Sequence, residues 1–252
     1  AGTVARVMGE EKAQGAFTSP PYAEQRKGTY GGTAVDAYVD WWESVQSAVR
    51  SVLSDNGSFF VNIKPHCDNG ERVLYVFDLV LAMKRRWGWR YIDELCWVRT
   101  AIPGLMGPRF KNEFEPIYHF SVSAKVKFVP ANVIDKTADL SAAKTYDQTD
   151  GSVTLGSNYK GRGGGNVRSK NFDGALPGNV LKVTKGFEEN PGHGAIFPVG
   201  LPDFFVRAYS DEGDIWLEPF SGSGTTIIAC ENLGRRCRAV EISPAYVGVA
   251  LE

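Results

Sequence analysis

The feature that most constrains the fold is a short apolar strand that runs directly into a glycine-rich turn and then into a helix. Residues 214–217 (Asp-Ile-Trp-Leu) are predicted as the strand, and residues 218–226 (Glu-Pro-Phe-Ser-Gly-Ser-Gly-Thr-Thr) contain the turn. Glycines let a backbone approach a ligand closely, and free N–H groups at a helix start favour carboxylate or phosphate groups. The segment therefore predicts a small-ligand loop in an α/β protein.

Strand-like and helix-like patterns alternate along most of the chain. Further strands are predicted at Ala16–Thr18, Ser58–Ile63, Tyr91–Arg99, Phe114–Val122 and Arg236–Glu241. Helices are predicted before Gly57, over Glu71–Arg86 and Pro202–Tyr209, and from the glycine loop to Leu233-Gly234. This alternation predicts the α/β class, with a doubly wound, mostly parallel sheet.

Two of these helices carry specific expectations about their ends and faces. Thr33 and Asp36 have the spacing of a capping box, and Gly57 stands where a helix C-cap belongs. Helical spacing predicts that the first helix packs on the core through Trp42, Val45, Val49, Val52 and Leu53. The same rule predicts that the second packs through Val73, Phe77, Val80 and Leu81.

Residues 124–192 interrupt the alternation. They are rich in Gly, Ser, Thr and Asn, and from Lys144 to Lys185 the chain carries seven Lys or Arg against three Asp. We interpret this segment as an insertion with a basic surface, which divides one domain into halves at residues 1–123 and 193–252.

Composition argues against several classes of protein. A hydrophobic content of 43% predicts a packed core, and neither a bilayer-spanning apolar run nor a signal peptide is visible. Four cysteines without a C-x-x-C pair, with only three histidines, argue against a zinc cluster and fit a reducing cytoplasm. The net charge of -1 gives no overall attraction to a polyanion, so nucleic-acid binding requires local basic patches.

The glycine loop does not match two common nucleotide-binding motifs. A phosphate-binding loop of the G-x-x-x-x-G-K-[ST] type needs Lys where Thr225 follows Gly224, and the G-x-G-x-x-G pattern fails at Ile227. Glu241, at the tip of the next predicted strand, is placed to accept hydrogen bonds from ribose hydroxyls. The alternatives are a tight turn that binds no ligand and, for Glu241, an ordinary surface charge.

A second segment, Ser19-Pro20-Pro21-Tyr22, is suited to holding a planar amine. Consecutive prolines lack N–H donors and keep the chain extended, so neighbouring carbonyls can accept hydrogen bonds. The Ser19 hydroxyl and Pro20 carbonyl can accept both N–H bonds of a base amine, which frees its lone pair, while Tyr22 stacks on the extruded base. The alternative is a rigid turn at a strand end.

Together the two segments resemble motifs of the DNA amino-methyltransferases, (D/N/S)-P-P-(Y/F) and D-P-F-x-G-S-G-T-T. Their order resembles the permuted, beta-like class, in which the catalytic motif comes first, the target-recognition region follows and the cofactor motif is last. Residues 193–198 and 112–117 also look like family segments. The resemblance implies a Rossmann-like, seven-stranded-type methyltransferase fold, S-adenosylmethionine as cofactor and double-stranded DNA as partner, with residues 124–192 as the target-recognition insertion.

The resemblance also implies roles for individual residues. The target amine would be held by Ser19, Pro20, Pro21 and Tyr22. The cofactor would be bound by Glu218 near its methionine amine, by Glu241 at its ribose, and by Phe220, Gly222, Gly224 and Thr225. Glu218 stands where the family usually has Asp. The family often carries a Gly-Asp pair upstream of the catalytic motif, and if the protein lacks that pair, weaker cofactor affinity is expected.

Ser19, the first residue of the catalytic segment, bears on which base is methylated. In the family a serine there is associated with the N4 amine of cytosine, and Asp with N6 of adenine. Methylation at C5 of cytosine is disfavoured because it needs a nucleophilic cysteine, typically after proline, and no cysteine here follows one. The alternatives that stay open are an N6-adenine enzyme, a DNA-binding relative with weak or lost activity, and a methyltransferase for protein glutamine or RNA.

The remaining expectations concern partners. Lys160, Arg162, Arg168 and Lys170 are candidates for DNA contacts, although any one of them alone is more simply a solvated loop residue. No metal and no membrane are expected. A bacterial or phage-encoded protein in the cytoplasm fits the family, and a homodimer is compatible with the sequence.

Overall fold

The computed structural model describes residues 2–25, 32–99, 108–135, 144–146, 167–169, 175–183 and 197–251. For residues 144–146 and 167–169 it describes the backbone alone. The chain folds as two compact units, the larger comprising residues 1–128 with 179–252 and the smaller residues 129–178. That residues 124–192 form a target-recognition insertion stays a prediction.

The larger unit alternates helices and strands. Its described helices are α1 (Gly2–Met8), α2 (Tyr38–Val52), α3 (Tyr75–Arg85), α4 (Gly200–Tyr209), α5 (Thr225–Asn232) and α6 (Pro244–Leu251). Its described strands are β1 (Ala13–Thr18), β2 (Leu53–Asn62), β3 (Cys67–Asp68), β4 (Glu71–Arg72), β5 (Arg90–Val98), β6 (Phe114–Ser121), β9 (Val180–Leu181), β10 (Ile215–Glu218) and β11 (Arg236–Ala239). The smaller unit contains β7 (Lys144–Tyr146), β8 (Val167–Ser169) and a 3-10 turn at Pro130–Asn132.

Seven strands form one sheet in the order β11-β10-β1-β2-β6-β5-β9. Neighbours from β11 to β2 pair in parallel, β6 runs antiparallel to both β2 and β5, and β9 is parallel to β5. Within this described sheet β6 alone runs against the common direction. The predicted doubly wound, mostly parallel sheet is therefore confirmed.

The inner part of the sheet is buried on both faces, as a doubly wound fold requires: β1 and β10 are buried throughout and β2 and β6 over most of their length, whereas the first half of β5 is exposed. Successive residues of a strand point to opposite faces, and in β2 Phe59 joins one hydrophobic cluster while Phe60 joins the other. Helices α1, α2 and α3 contribute to the first cluster, whereas α4 and α5 contribute to the second. Strand β1 lies between β10 and β2 and is buried along its whole length, which places its carboxyl end between two covered faces.

Both predicted ends of the first helix are wrong. Helix α2 starts at Tyr38, after Ala37, and no side chain caps its start. It ends at Val52, where the chain turns directly into β2, so Gly57 lies within a strand rather than at a helix end. At Gly57 an added Cβ would lie 2.8 Å from the Leu53 side chain, so close packing inside the strand explains the glycine.

The predicted buried face of the next helix is wrong at Phe77 and Leu81, which are exposed, whereas Val73 and Val80 are partly buried against the core. Helix α3 starts only at Tyr75, because Glu71–Arg72 pairs with Cys67–Asp68 in a hairpin. The buried side chains are Tyr75, Val76, Leu79 and Met83, whereas Phe77 is 53% exposed. Tyr75 fixes this rotation, because its ring packs 4.8 Å from that of Tyr38 and its hydroxyl donates to the Lys64 carbonyl at 3.0 Å.

Candidate active site

The two motif segments leave the sheet at the same edge. Strands β1 and β10 are parallel neighbours, with Gly15 opposite Trp216 and Ala16 opposite Leu217. Their carboxyl ends, Thr18 and Glu218, therefore lie side by side. Residues 19–22 continue from the first strand, and the glycine loop continues from the second. In open α/β sheets this edge is where ligands bind.

Glu218 is a buried carboxyl with neutral or acidic neighbours. It is 1% exposed, accepts a hydrogen bond from the Phe220 N–H at 3.1 Å, and accepts another from the Thr226 hydroxyl at 2.9 Å. Burial raises the pKa of Glu218 to about 8, and the charge of Glu241 adds to this rise. Thr18, the Phe220 N–H and Thr226 lower the pKa without offsetting burial. A cationic ligand group would favour ionisation of this carboxyl.

The glycine loop takes backbone conformations that need glycine. Gly222 has a φ of 53° and Gly224 a φ of 84°, both in the left-handed region. At Gly224 an added Cβ would also lie 3.0 Å from the Cβ of Ala250, so the loop packs closely on α6. The Gly222 N–H donates to Glu241 at 2.8 Å, and the Ser243 N–H donates to the other oxygen of that carboxylate at 2.8 Å.

Glu241 thus clamps the glycine loop to the end of β11. The Ser221 N–H also donates to the Val240 carbonyl, and the Val240 N–H donates to the Glu218 carbonyl, each at 2.9 Å. A carboxylate oxygen can accept more than one hydrogen bond, so Glu241 keeps capacity for ribose hydroxyls. Glu241, the predicted ribose contact, therefore lies after β11 and beside the glycine loop, where it also has a structural role.

A chain of aromatic contacts connects the two motif segments. Phe220 lies with its ring centroid 5.8 Å from that of Trp41, and Trp41 lies 5.2 Å from Tyr38. The Tyr38 hydroxyl donates to the Pro21 carbonyl at 2.7 Å. Helix α2, which carries Tyr38 and Trp41, thus contacts both segments. Sequence reasoning gave Tyr38 and Trp41 no role. It assigned only Trp42 to the core, and the structure does bury Trp42 there.

Two buried hydroxyls at this edge have no hydrogen-bond partner within the described part of the chain. They are Thr18 Oγ1, in a fully buried residue, and Ser221 Oγ, in a residue that is 7% exposed. The Thr18 hydroxyl lies near enough to Glu218 to lower its pKa, but outside normal hydrogen-bond geometry. Because an unpaired buried polar atom is costly, the site fits a ligand with hydrogen-bonding groups and a positive charge.

The predicted catalytic segment lies partly accessible at the sheet edge. Ser19, Pro21 and Tyr22 are partly buried, and Pro20 is buried. The Tyr22 hydroxyl donates to Glu115 Oε2 at 3.4 Å. Burial, followed by the charge of Glu115, raises the pKa of Tyr22 well above its usual value, whereas the nearby Ser19 hydroxyl lowers it. Tyr22 is therefore a neutral phenol that can donate a hydrogen bond.

Glu115 is a second buried carboxyl, and it has two cationic partners. It is 4% exposed, with Lys64 Nζ at 2.5 Å from Oε1 and an ion pair to Arg99 at the same oxygen. Burial alone would raise its pKa, but Lys64 and Arg99 outweigh burial and hold the pKa of Glu115 below its usual value. Sequence reasoning assigned these residues no role. The available signal was a charged residue inside the apolar strand 114–121.

The candidate DNA contacts fall largely outside the described structure. Lys160, Arg162 and Lys170 lie outside the described residues, and Arg168 lies in β8, of which only the backbone is described. Among the residues that are described, no group of three or more His, Cys, Asp or Glu could hold a metal ion. In the same ranges, no helix combines the length and apolarity needed to cross a membrane.

Comparisons with known proteins identify relatives along nearly the whole chain. The family model described as DNA methylase, for N6/N4 methyltransferases, matches residues 13–252. The type II methyltransferase M.PvuII of Proteus hauseri is 28% identical over 257 residues, which cover 93% of this chain and 75% of that protein. The type II methyltransferase M.BglII of Bacillus subtilis is 27% identical, covering 93% of this chain and 61% of M.BglII.

Solved structures share the fold. The PvuII DNA methyltransferase (cytosine-N4-specific) matches with a TM-score of 0.72 at 23% identity, covering 99% of this chain and 82% of that one. M1.HpyAVI in complex with SAM matches with a TM-score of 0.57 at 19% identity, covering 95% of this chain and 87% of that one. Since the family model extends from β1 to the last residue, the chain belongs to the N6/N4 DNA methylase family.

Proposed function

We propose that this protein transfers a methyl group from S-adenosylmethionine to the exocyclic N4 amine of a flipped cytosine in double-stranded DNA. One observation carries the proposal: residues 19–22 and the glycine loop leave adjacent parallel strands at one edge and are connected through Tyr38 and Trp41. An amine held by the first segment would lie beside a methyl donor held by the second. Ser19 and the similarity to a cytosine-N4-specific enzyme favour cytosine.

The catalytic segment would activate the amine by accepting its hydrogen bonds. A base amine is a poor nucleophile because its lone pair is delocalised into the ring. The Ser19 hydroxyl and the Pro20 carbonyl would accept the two N–H bonds, which pulls the nitrogen toward a tetrahedral shape and frees the lone pair. Pro20 and Pro21 hold the segment extended and add no competing N–H donor. Positioning and electrostatics supply the catalysis, so the protein needs no covalent nucleophile.

The glycine-loop side would hold the cofactor. S-adenosylmethionine, when bound, supplies an electrophilic methyl group. Glu218 would pair with the methionine amino group, because that buried carboxyl has only neutral or acidic neighbours among the residues described above. The unpaired hydroxyls of Thr18 and Ser221 offer hydrogen bonds to the same ligand, and Glu241 would accept from the ribose. The other residues proposed to line the pocket are Phe220, Gly222, Gly224 and Thr225.

The DNA side of the proposal concerns access to the base. A base stacked in a duplex is out of reach, so the cytosine must be extruded, and Tyr22 would stack on it. Lys160, Arg162, Arg168 and Lys170 are proposed to contact the DNA. Replacing all four with Ala should weaken DNA binding while cofactor affinity stays unchanged, and unchanged DNA affinity would remove the proposed contact role.

Mass spectrometry of nucleosides tests the function. The purified chain is incubated with S-adenosylmethionine and a DNA of mixed sequence, and the DNA is digested to nucleosides. The expected product is N4-methylcytosine, absent in reactions with Ser19→Ala. N6-methyladenine instead would retain the reaction type and overturn the choice of base. Absence of both products, with cofactor binding intact by calorimetry, would overturn the proposed activity.

A further inference from the structure

Glu115, Lys64 and Arg99 form an ion cluster that has no role in the proposed reaction as described so far. Strand β6 is antiparallel to β2 and β5, so its first residues lie beside the carboxyl ends of those two strands. Glu115 pairs with Trp97 across β5, Lys64 follows the end of β2, and Arg99 follows the end of β5. Three strands therefore bring one carboxylate and two cations to the edge that carries the catalytic segment.

The positions of these charges are fixed by further contacts. The Tyr75 hydroxyl donates to the Lys64 carbonyl at 3.0 Å, and the Arg99 N–H donates to the Glu113 carbonyl at 2.7 Å. The Arg99 guanidinium also lies over the Trp97 ring, 5.1 Å from its centroid. Helix α3 and strands β5 and β6 thus hold both cations in place, and the Glu115 carboxylate with them.

Fold stability alone gives little reason for such a cluster. A buried ion pair loses its hydration, and well-packed hydrophobic residues often stabilise a protein as well or better. The cluster does have one neutral hydrogen-bond partner, the Tyr22 hydroxyl, which donates to Glu115 Oε2. The two cations bind the other oxygen, Oε1. The Oε2 atom is thereby oriented toward the catalytic segment.

We propose that Glu115, oriented by Lys64 and Arg99, is a positioning residue that fixes the ring of Tyr22 through its hydroxyl. The inference rests on the proposed function, in which that ring stacks on the target base. A ring held at both its backbone and its hydroxyl keeps one orientation before the base arrives. A small displacement of a reacting group lowers transfer rates strongly, so a loose ring would slow the chemistry while cofactor binding is unaffected.

A double-mutant cycle tests the inference. Single-turnover rates of methyl transfer are measured for Tyr22→Phe, Glu115→Leu and the double variant, alongside cofactor affinity by calorimetry. Each single variant is expected to lose about tenfold in rate, and the double variant no more than either single one, because both remove the same contact. Cofactor affinity should stay within about twofold of the wild type. Multiplying losses in the double variant, or a wild-type rate in Tyr22→Phe, would overturn the inference.

Tyr22→Phe also guards against misfolding, since it removes one hydroxyl and leaves the ion cluster complete. The matched control is another tyrosine–glutamate pair on β5, in which the Tyr91 hydroxyl donates to Glu94 at 3.3 Å. Tyr91→Phe and Glu94→Leu should leave the transfer rate unchanged. Fluorescence of 2-aminopurine at the target position adds a second readout. Because stacking on Tyr22 quenches this base, its rise in fluorescence on binding should be larger in both Tyr22→Phe and Glu115→Leu than in the wild type. If the wild type methylates no DNA the proposed function fails, whereas methylation without coupling overturns only this inference.

Discussion

Glu115 and Glu218 are both buried carboxyls at the same edge of the sheet, yet their environments differ. Glu115 is bound by Lys64 and Arg99, and its pKa lies below the usual value. Glu218 is bound by the Phe220 N–H and the Thr226 hydroxyl, and burial raises its pKa to about 8. Burial acts in the same direction on both, so the nearby cations account for the difference.

The difference indicates a structural role for Glu115 and a ligand-binding role for Glu218. The charge of Glu115 is already compensated by two cations of the protein, so this carboxylate can orient a neighbouring side chain without a ligand. Glu218 has no cation among the partners described here, and a ligand that supplies one would be bound more tightly for that reason. Glu115 thus has its cationic partners within the protein, whereas Glu218 would obtain a cationic partner from the proposed cofactor.

The largest expected effect comes from removing both cations of Glu115. Lys64→Met with Arg99→Met leaves a buried carboxylate without compensation and should cost about 3–5 kcal/mol in the free energy of unfolding. Urea denaturation at pH 7 measures this. Adding Glu115→Leu to the double variant should restore most of the loss, because no buried charge then remains. If the triple variant is as unstable as the double, the cations act on something other than Glu115.

The second effect concerns Glu218 and the pH dependence of cofactor binding. A cationic ligand group needs Glu218 ionised, so below a pKa of about 8 the binding reaction must also remove a proton. Affinity for S-adenosylmethionine should therefore fall about fiftyfold between pH 8 and pH 6. In Glu218→Gln calorimetry should find weaker binding that changes less than about threefold over that range. A variant that keeps the wild-type slope would place the titrating group elsewhere.

The same carboxyl should be visible in the stability of the cofactor-free protein. Its pKa is raised on folding, so the stability it contributes is present below pH 4.5 and is lost as pH rises through about 8. Relative to Glu218→Gln, the wild type should lose roughly 2–4 kcal/mol between pH 4.5 and pH 8.5. Urea denaturation of both proteins at the two pH values measures the difference, and parallel stability curves would contradict it.

His119 provides a third case, a buried neutral ring whose cation would have no carboxylate partner among the described residues. Its Nε2 contacts the Ser58 hydroxyl at 2.9 Å, and burial lowers the pKa of His119 from 6.5 to about 3. Stability from the neutral ring is present above pH 6.5 and is lost as pH falls toward 3. From pH 7 to pH 5 the wild type should lose about 2 kcal/mol more than His119→Phe in urea denaturation. Equal losses would mean that His119 is solvated.

The smallest effect is expected for a cation whose carboxylate partners are more exposed than Glu115. Lys127 Nζ lies 2.7 Å from Asp211 and 2.6 Å from Asp214, but Asp211 is 64% exposed. Exposed ion pairs contribute little, so Lys127→Met should cost less than about 1 kcal/mol, and raised salt should reduce that cost further. Thermal unfolding at low and high salt checks this. A loss as large as that of the Lys64→Met, Arg99→Met double variant would mean that the exposure of the partner carboxylates does not decide what an ion pair contributes.

Much of the fold could be predicted from local sequence patterns. The strand–loop–helix around residues 214–232 follows from an apolar strand and a glycine turn, both read within a few residues. The face of α3 could not be read in that way, because the Tyr75 contacts to Lys64 and Tyr38 set its rotation, and these lie in other elements. Local periodicity therefore favoured Phe77, which the structure leaves exposed.

The candidate site likewise contains residues that local sequence patterns predict and residues that only the fold brings together. The catalytic and cofactor segments are contiguous motifs, so their residues were identifiable one by one. The Glu115 cluster joins residues 51 and 16 positions apart in the chain, brought together only by the order of β2, β6 and β5. No sequence spacing predicts that Glu115 and its two cationic partners lie together. The proposed roles of Thr18 and Ser221 likewise depend on hydroxyls that are buried without a hydrogen-bond partner, which cannot be predicted from the sequence.

The most direct test of the central claim is transfer of a labelled methyl group to DNA by Ser19→Ala, measured beside cofactor binding. If Ser19 and the glycine loop serve one reaction at one edge, the variant should bind S-adenosylmethionine like the wild type and transfer the label at least about a hundredfold more slowly. Wild-type transfer by Ser19→Ala would contradict the account.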